Sequence, residues 1–119
     1  MHLSDFCEDA EIFVDANIFG HFVLRNDPFR TSCEEFLSQV ENSQVRAMTT
    51  TFALNEALYA ILIGTGSRLL QSTRIKSIKK HIDKDASLAA QCYHECLRFD
   101  RYLAALCTAS LRILEVTYA

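Results

Sequence analysis

The sequence predicts an α/β layered domain built on a small parallel sheet. Three observations carry this expectation. Short strand-like runs alternate with helical periodicity in the order β-α-α-β-α-α-α-β. The connections between those runs hold two or three helices each, too long for hairpins and suited to right-handed crossovers between parallel strands. The chain has 119 residues, 50% hydrophobic and 23% charged, enough for one core and too few for two domains. Residues 1–119 are therefore read as a single domain, about three strands flanked by helices.

Each element has its own signal. Glu11-Ile12-Phe13-Val14-Asp15 is an apolar run ending in an acid, as buried parallel strands read. Asn17 is a candidate cap for the helix carrying Ile18, Phe19, Phe22 and Val23. Asn26-Asp27-Pro28 stops that helix and opens another, with Asp27 as N-cap and Pro28 in the first turn. Phe29, Cys33, Phe36, Leu37 and Val40 give the second helix one apolar face, ending near Asn42-Ser43. Val45 to Thr49 reads as the second strand, and Thr50 or Thr51 caps a third helix along Leu54, Leu58, Ile61 and Leu62. Gly64-Thr65-Gly66-Ser67 is expected to break that helix, with Ser67 capping a basic helix from Arg68 to His81. Asp83 or Asp85 opens a long helix, one or two pieces, to about Ser110. Leu111 to Thr117 alternates as the third strand.

Charge and cysteine usage narrow the class. A net charge of -3 excludes a globally basic nucleic-acid coat but permits a local basic patch. The N-terminus, MHLSDFCEDAEIF, is acidic where a secretory leader would be basic, and no apolar run approaches the ~18 residues of a membrane span. Cys7, Cys33, Cys92, Cys96 and Cys107 are odd in number and irregularly spaced, which reads as reduced thiols. The expectation is a cytoplasmic protein without membrane association.

Two carboxylates stand where chemistry is carried. Ligands of open α/β sheets bind beyond the carboxyl ends of the strands, and Asp15 ends the first strand. Its bland alternative is to cap the helix that follows. Glu56 lies in the N-terminal half of the third helix, and its bland alternative is a surface glutamate favoured by the helix dipole. Packed beside the first strand, that helix would face Glu56 toward Asp15. Two such acids suit Mg²⁺, which takes one or two carboxylates and keeps several waters, and which can activate water and steady phosphodiester charge.

Ile12-Phe13-Val14-Asp15-Ala16-Asn17-Ile18-Phe19 resembles the opening motif of the PIN-domain family, nucleases that include the toxins of VapBC toxin–antitoxin pairs. Thr49-Thr50 followed by Phe52-Ala53-Leu54-Asn55-Glu56-Ala57-Leu58 is similar to the family's strand–hydroxyl–helix segment. The likeness covers residues 11 to 63 well and the remainder in outline. It implies a three-layer PIN-like fold and a Mg²⁺- or Mn²⁺-dependent endoribonuclease that cuts phosphodiesters by water attack. Asp15 and Glu56 would be metal ligands, Asn17 an accessory polar group and the Thr50 hydroxyl a hydrogen-bonding support. RNA would be the substrate, an antitoxin protein a partner, and a homodimer or higher oligomer the assembly. The family carries a third acid, and usually a fourth, beyond the last strand read here. Asp83, Asp85 and Asp100 precede that strand and match neither position. The expectation is a C-terminally incomplete domain with an uncovered edge at its last strand. The alternatives are an inactive PIN-like fragment that binds RNA or a protein, and a helical adaptor with no nucleic-acid role.

Arg68, Arg74, Lys76, Lys79, Lys80 and Lys84 are six of the twelve Lys and Arg residues. They read either as a ridge that contacts RNA phosphates or as a solvated helix face. No aromatic residue interrupts this stretch, so base stacking is not expected there. Cys92, His94 and Cys96 offer a soft-metal trio or, more simply, buried cysteines. The phenylalanines at 13, 19, 22, 29, 36 and 52 are expected in the core or an interface, with Phe19 and Phe22 as candidates for a dimer contact.

Overall fold

In the computed structural model, which describes residues 11–24 and 28–115, the predicted element order is observed in full. It runs β1 (Ile12–Phe13), α1 (Ala16–Val23), α2 (Arg30–Glu41), β2 (Ala47–Thr50), α3 (Thr51–Leu70), α4 (Ile75–Lys84), α5 (Ala86–Ala109) and β3 (Leu111–Leu114). The strands form one sheet in the order β1-β2-β3, parallel throughout. The chain is thus α/β, with five helices and a small parallel sheet among the described residues.

The register sorts side chains by face. Ile12 lies opposite Ala47, and Ala47 opposite Leu111, in an inward row. Phe13, Met48 and Arg112 form the next row and point the other way. Val14, Ala47 and Leu111 join Phe19 of α1, Phe36, Leu37 and Val40 of α2, Leu54, Ala57 and Ile61 of α3, and Phe99, Leu103 and Leu106 of α5 in one core. On the opposite face Phe13 is 50% exposed, and Arg112 reaches across to Glu11, donating from Nε at 3.1 Å. That hydrogen bond, more than charge alone, holds the Glu11 carboxyl below its usual range. Helices α1, α2, α3 and α5 share this core with the inward row of the sheet.

A second, smaller core ties α4 to the far halves of α3 and α5 through Ile78, Ile82, Leu88 and Cys92. It explains the main departure from the sequence reading. The Gly64-Thr65-Gly66-Ser67 segment does not break α3, which continues to Leu70 and ends on Gln71 in the left-handed region. Ser67 is no N-cap; its hydroxyl donates to the Ser72 carbonyl in the turn beyond the helix. A Cβ on Gly66 would lie 2.7 Å from Ile78 Cγ2 and 3.3 Å from Ile82 Cδ1, so glycine lets α4 approach α3. A Cβ on Gly64 would meet only the flexible end of Leu24, at 2.6 Å. Gly66→Ala is therefore expected to destabilise by about 1–3 kcal/mol, outweighing the helix-propensity gain of about 1 kcal/mol. Gly64→Ala should be neutral or stabilising. Urea denaturation of both variants checks this, and equal effects would contradict the close approach at Gly66.

Other boundaries shift for local reasons. Asp15, not Asn17, is the N-cap of α1, so Asn17 lies inside the first turn. Asp85 is the cap of α5, accepting from the Ser87 and Leu88 amides, and α5 is one uninterrupted helix. The basic helix is α4 at Ile75–Lys84, which leaves Arg68 behind on α3. Pro28 sits in a turn before α2, whose N-cap position is Phe29; Asp27 lies outside the described residues. Glu115 follows β3 and is exposed; Val116 and Thr117 lie outside the described residues, as does Cys7. Phe19 is fully buried and takes no part in an exposed contact, while Phe22 stacks on Tyr102 at 4.8 Å. Phe29 and Phe52 are exposed, at 60% and 51%.

Candidate functional site

Parallel pairing brings the carboxyl ends of all three strands to one edge. Hydrogen bonding continues past β1, where the Val14 amide donates to the Met48 carbonyl at 2.7 Å. Carrying the register on by two residues sets Asp15 beside Thr50, which itself lies opposite Leu114. The buried Thr49 hydroxyl donates to the Val14 carbonyl at 2.8 Å and pins β1 to β2 just below that edge. The hydroxyl is thereby satisfied in an otherwise apolar layer.

Asp15 is exposed and extended at the end of β1. One carboxylate oxygen, Oδ1, accepts the Ala16 amide at 2.7 Å. No described residue engages the other oxygen. The structure thus shows Asp15 as a cap whose second oxygen is open among the described residues. Thr50 plays the same part for α3, its Oγ1 accepting the Ala53 amide at 3.0 Å. Two helices consequently begin side by side at the strand ends, and their positive N-termini favour anionic charge there.

Glu56 stands six residues beyond Thr50 on α3, about 9 Å along the axis at the usual helical rise. It is exposed and pairs with no described residue. Helix α1 packs against α3, so Asp15 and Glu56 belong to adjoining elements that rise from one end of the sheet. Asn17 is exposed on the first turn of α1. Glu115 is exposed at the end of β3, a third acid on this edge, because the strand stops at Leu114 and not at Thr117 as its alternation suggests. Asp83 and Asp100 are exposed on α4 and α5, and Asp85 is engaged as a cap.

As for a metal, Asp15 and Glu56 supply hard, solvent-accessible oxygen donors. Oxygen donors of that kind suit an ion such as Mg²⁺ that keeps most of its own waters. No group of three or more His, Cys, Asp or Glu side chains converges for a metal among the described residues. The Cys92–His94–Cys96 trio resolves in favour of structure. Cys92 is buried in the second core, and His94 is exposed. Burial raises the Cys92 and Cys96 thiols above their ordinary values and keeps them protonated, the form that neither ligates nor attacks.

The six basic residues do not form one ridge. Arg74, Lys76, Lys80 and Lys84 line a broad concavity of about 1010 Å³ together with Ser77 and His81. Lys79 turns to the α3 side and holds its ammonium 5.2 Å from the centre of the Tyr59 ring. Arg68 lines separate clefts between α3 and α5, with Glu95. Sequence reading missed Tyr59 because the aromatic partner of the basic helix comes from a different helix.

Comparison of the chain with protein-family models, with curated proteins and with solved structures yields no match. No described helix is long and apolar enough to cross a membrane.

Proposed function

We propose that this chain is a PIN-type domain of three-layer design that hydrolyses RNA phosphodiesters with Mg²⁺ or Mn²⁺. One observation carries the reading: Asp15 caps α1 at the end of β1 with a carboxylate oxygen to spare, beside the Thr50 cap from which α3 carries Glu56. The ends of parallel strands are where α/β sheets bind ligands. The helix N-termini that Asp15 and Thr50 cap favour an approaching phosphate.

Asp15 and Glu56 would hold the ion, which supplies an activated water and charge neutralisation at the phosphodiester. Thr50 fixes the start of α3 and hence the position of Glu56. The Thr49 hydroxyl locks β1 against β2 and so fixes the point from which Asp15 projects. Asn17 offers a neutral amide on the same turn as Asp15. Toxin–antitoxin membership, an antitoxin partner and a homodimer belong to this same proposal.

The test is cleavage of single-stranded RNA by the purified chain with Mg²⁺ or Mn²⁺, against the same reaction with chelator. Turnover that disappears on chelation supports the reading. RNA retained at low salt and left intact with every metal would favour a second reading, a PIN-like module that binds RNA without cutting it. That alternative draws on the absence of three converging ligands among the described residues.

A further inference from the structure

On α3, Phe52, Glu56 and Tyr59 recur at i, i+4 and i+7 and so share a face of the helix. Both aromatic rings are open to solvent, Phe52 by 51% and Tyr59 by 46%. Large apolar side chains left exposed in a row, rather than singly, mark an interaction surface. The surface does not end at α3. Lys79 of α4 sits over the Tyr59 ring at 5.2 Å. From Lys79 the cations continue around α4 to Lys76, Lys80 and Lys84, which line the concavity described above. Lys76, Lys80 and Lys84 are spaced by four residues, so their ammonium groups repeat every roughly 6 Å along one side of the helix. That interval is close to the step between neighbouring phosphates of an extended nucleic-acid strand. Ile78 and Ile82 hold the opposite side of α4 in the core, so the lysines are fixed outward. Asp83 is the one acid within α4, and Asp85, its C-cap, also lines the concavity.

We infer that α3 and α4 together form a track for single-stranded RNA, in which Tyr59 and Phe52 stack bases and Lys79, Lys76, Lys80 and Lys84 take the phosphates. Aromatic platforms beside a cationic groove are how single strands are held without sequence preference, because every base has a face to stack. A duplex keeps its bases paired and cannot use Tyr59. The track passes Glu56, between the two rings, and so runs a strand from the basic helix toward the acidic edge of the sheet. Choosing RNA as the polymer rests on the proposed ribonuclease reading; the track itself rests on the α3–α4 geometry.

The experiment measures binding of a fluorescein-labelled 20-nucleotide poly(U) RNA in chelator, across a salt series, so that no cleavage is needed. The parent chain is expected to bind with a strongly negative slope of log K against log salt. A Lys76→Gln/Lys80→Gln/Lys84→Gln variant is expected to lose about 2 from the magnitude of that slope, at roughly 0.7 per phosphate contact on a single strand. Tyr59→Ala is expected to weaken binding about tenfold at unchanged slope, and Tyr59→Phe to restore it, because stacking needs only the ring. Arg101→Gln, a cation exposed on α5, is the control and should change neither. Lys79→Gln is expected to weaken binding and to take about 0.7 from the slope, as one phosphate contact fewer, and an unchanged slope would remove Lys79 from the track. Parent-like binding by both the lysine triple variant and Tyr59→Ala would overturn the track. So would a concentration-dependent dimer that Tyr59→Ala dissociates with no RNA bound, since Tyr59 would then be a contact between copies. Binding that follows these variants in a chain that cleaves nothing would leave the track standing and remove the catalytic reading. Cleavage with binding indifferent to them would do the reverse.

Discussion

Asp15→Asn is expected to lower metal-dependent RNA cleavage by about a hundredfold or more while leaving stability within about 0.5 kcal/mol of the parent. The two halves of the prediction come from the two jobs of one carboxylate. Oδ1 accepts the Ala16 amide and caps α1. Asparagine caps a helix as well as aspartate does, so that job survives the substitution. The other oxygen is the one open to a cation, and the amide removes the negative charge that a Mg²⁺ requires. Asp15→Ala removes both, and should cost about 1 kcal/mol of stability on top of the lost cleavage. Rates with Mn²⁺ and urea midpoints, measured on both variants, separate the jobs. Parent-level cleavage by Asp15→Asn would leave Asp15 as a cap alone. A large loss of stability in Asp15→Asn would instead mean that the cap tolerates no amide.

What could be read from the sequence, and what could not, divides along physical lines. Strand and helix order was legible because hydrophobic period and connection length both bear on it, and neither depends on distant partners. The caps at Thr50 and Asp85 were each legible as one of two neighbouring candidates, because a short polar side chain before an apolar helix has few other uses. Gly64 and Gly66 misled, since local propensity marks them as a break while the approach of Ile78 to Gly66 makes glycine the residue that keeps α3 packed. Propensity is a weak prior that tertiary contact overrides. Asp15 was legible as a candidate because it ends an apolar strand run, where α/β sheets bind ligands, and Glu56 because it stands early on the helix after the second strand, where the resemblance expects an acid. Their placement on adjoining helices came only with the pairing of β1 and β2. The split among the basic residues was not legible at all. Lys79 and Lys80 are neighbours in the chain, yet one meets an α3 ring and the other a solvent concavity, because consecutive helical residues point about 100° apart.

The same dependence on packing separates two phenylalanines that sequence alone treats alike. Phe19→Ala is expected to cost about 3–5 kcal/mol, a large share of the 5–15 kcal/mol typical of a domain this size. Phe19 is fully buried and meets Phe99 of α5 edge-on, with ring centres 5.3 Å apart and planes at 65°. That geometry adds to the burial itself. The loss would also fall on a short element, because α1 has eight residues and buries only Ala16, Phe19 and Gly20. A helix that short has no stability of its own and is held by its packed face. Phe13, two residues before the Asp15 cap, is 50% exposed on the face of the sheet opposite the core, and Phe13→Ala should cost about 1 kcal/mol or less. Urea titration of both variants with a common m-value decides the matter. Equal losses would show Phe13 as well packed as Phe19 and contradict its exposure. A selective loss in Phe19→Ala, accompanied by weaker cleavage, would show that the acidic edge is only as well positioned as α1 is packed, since Asp15 takes its place from the start of that helix.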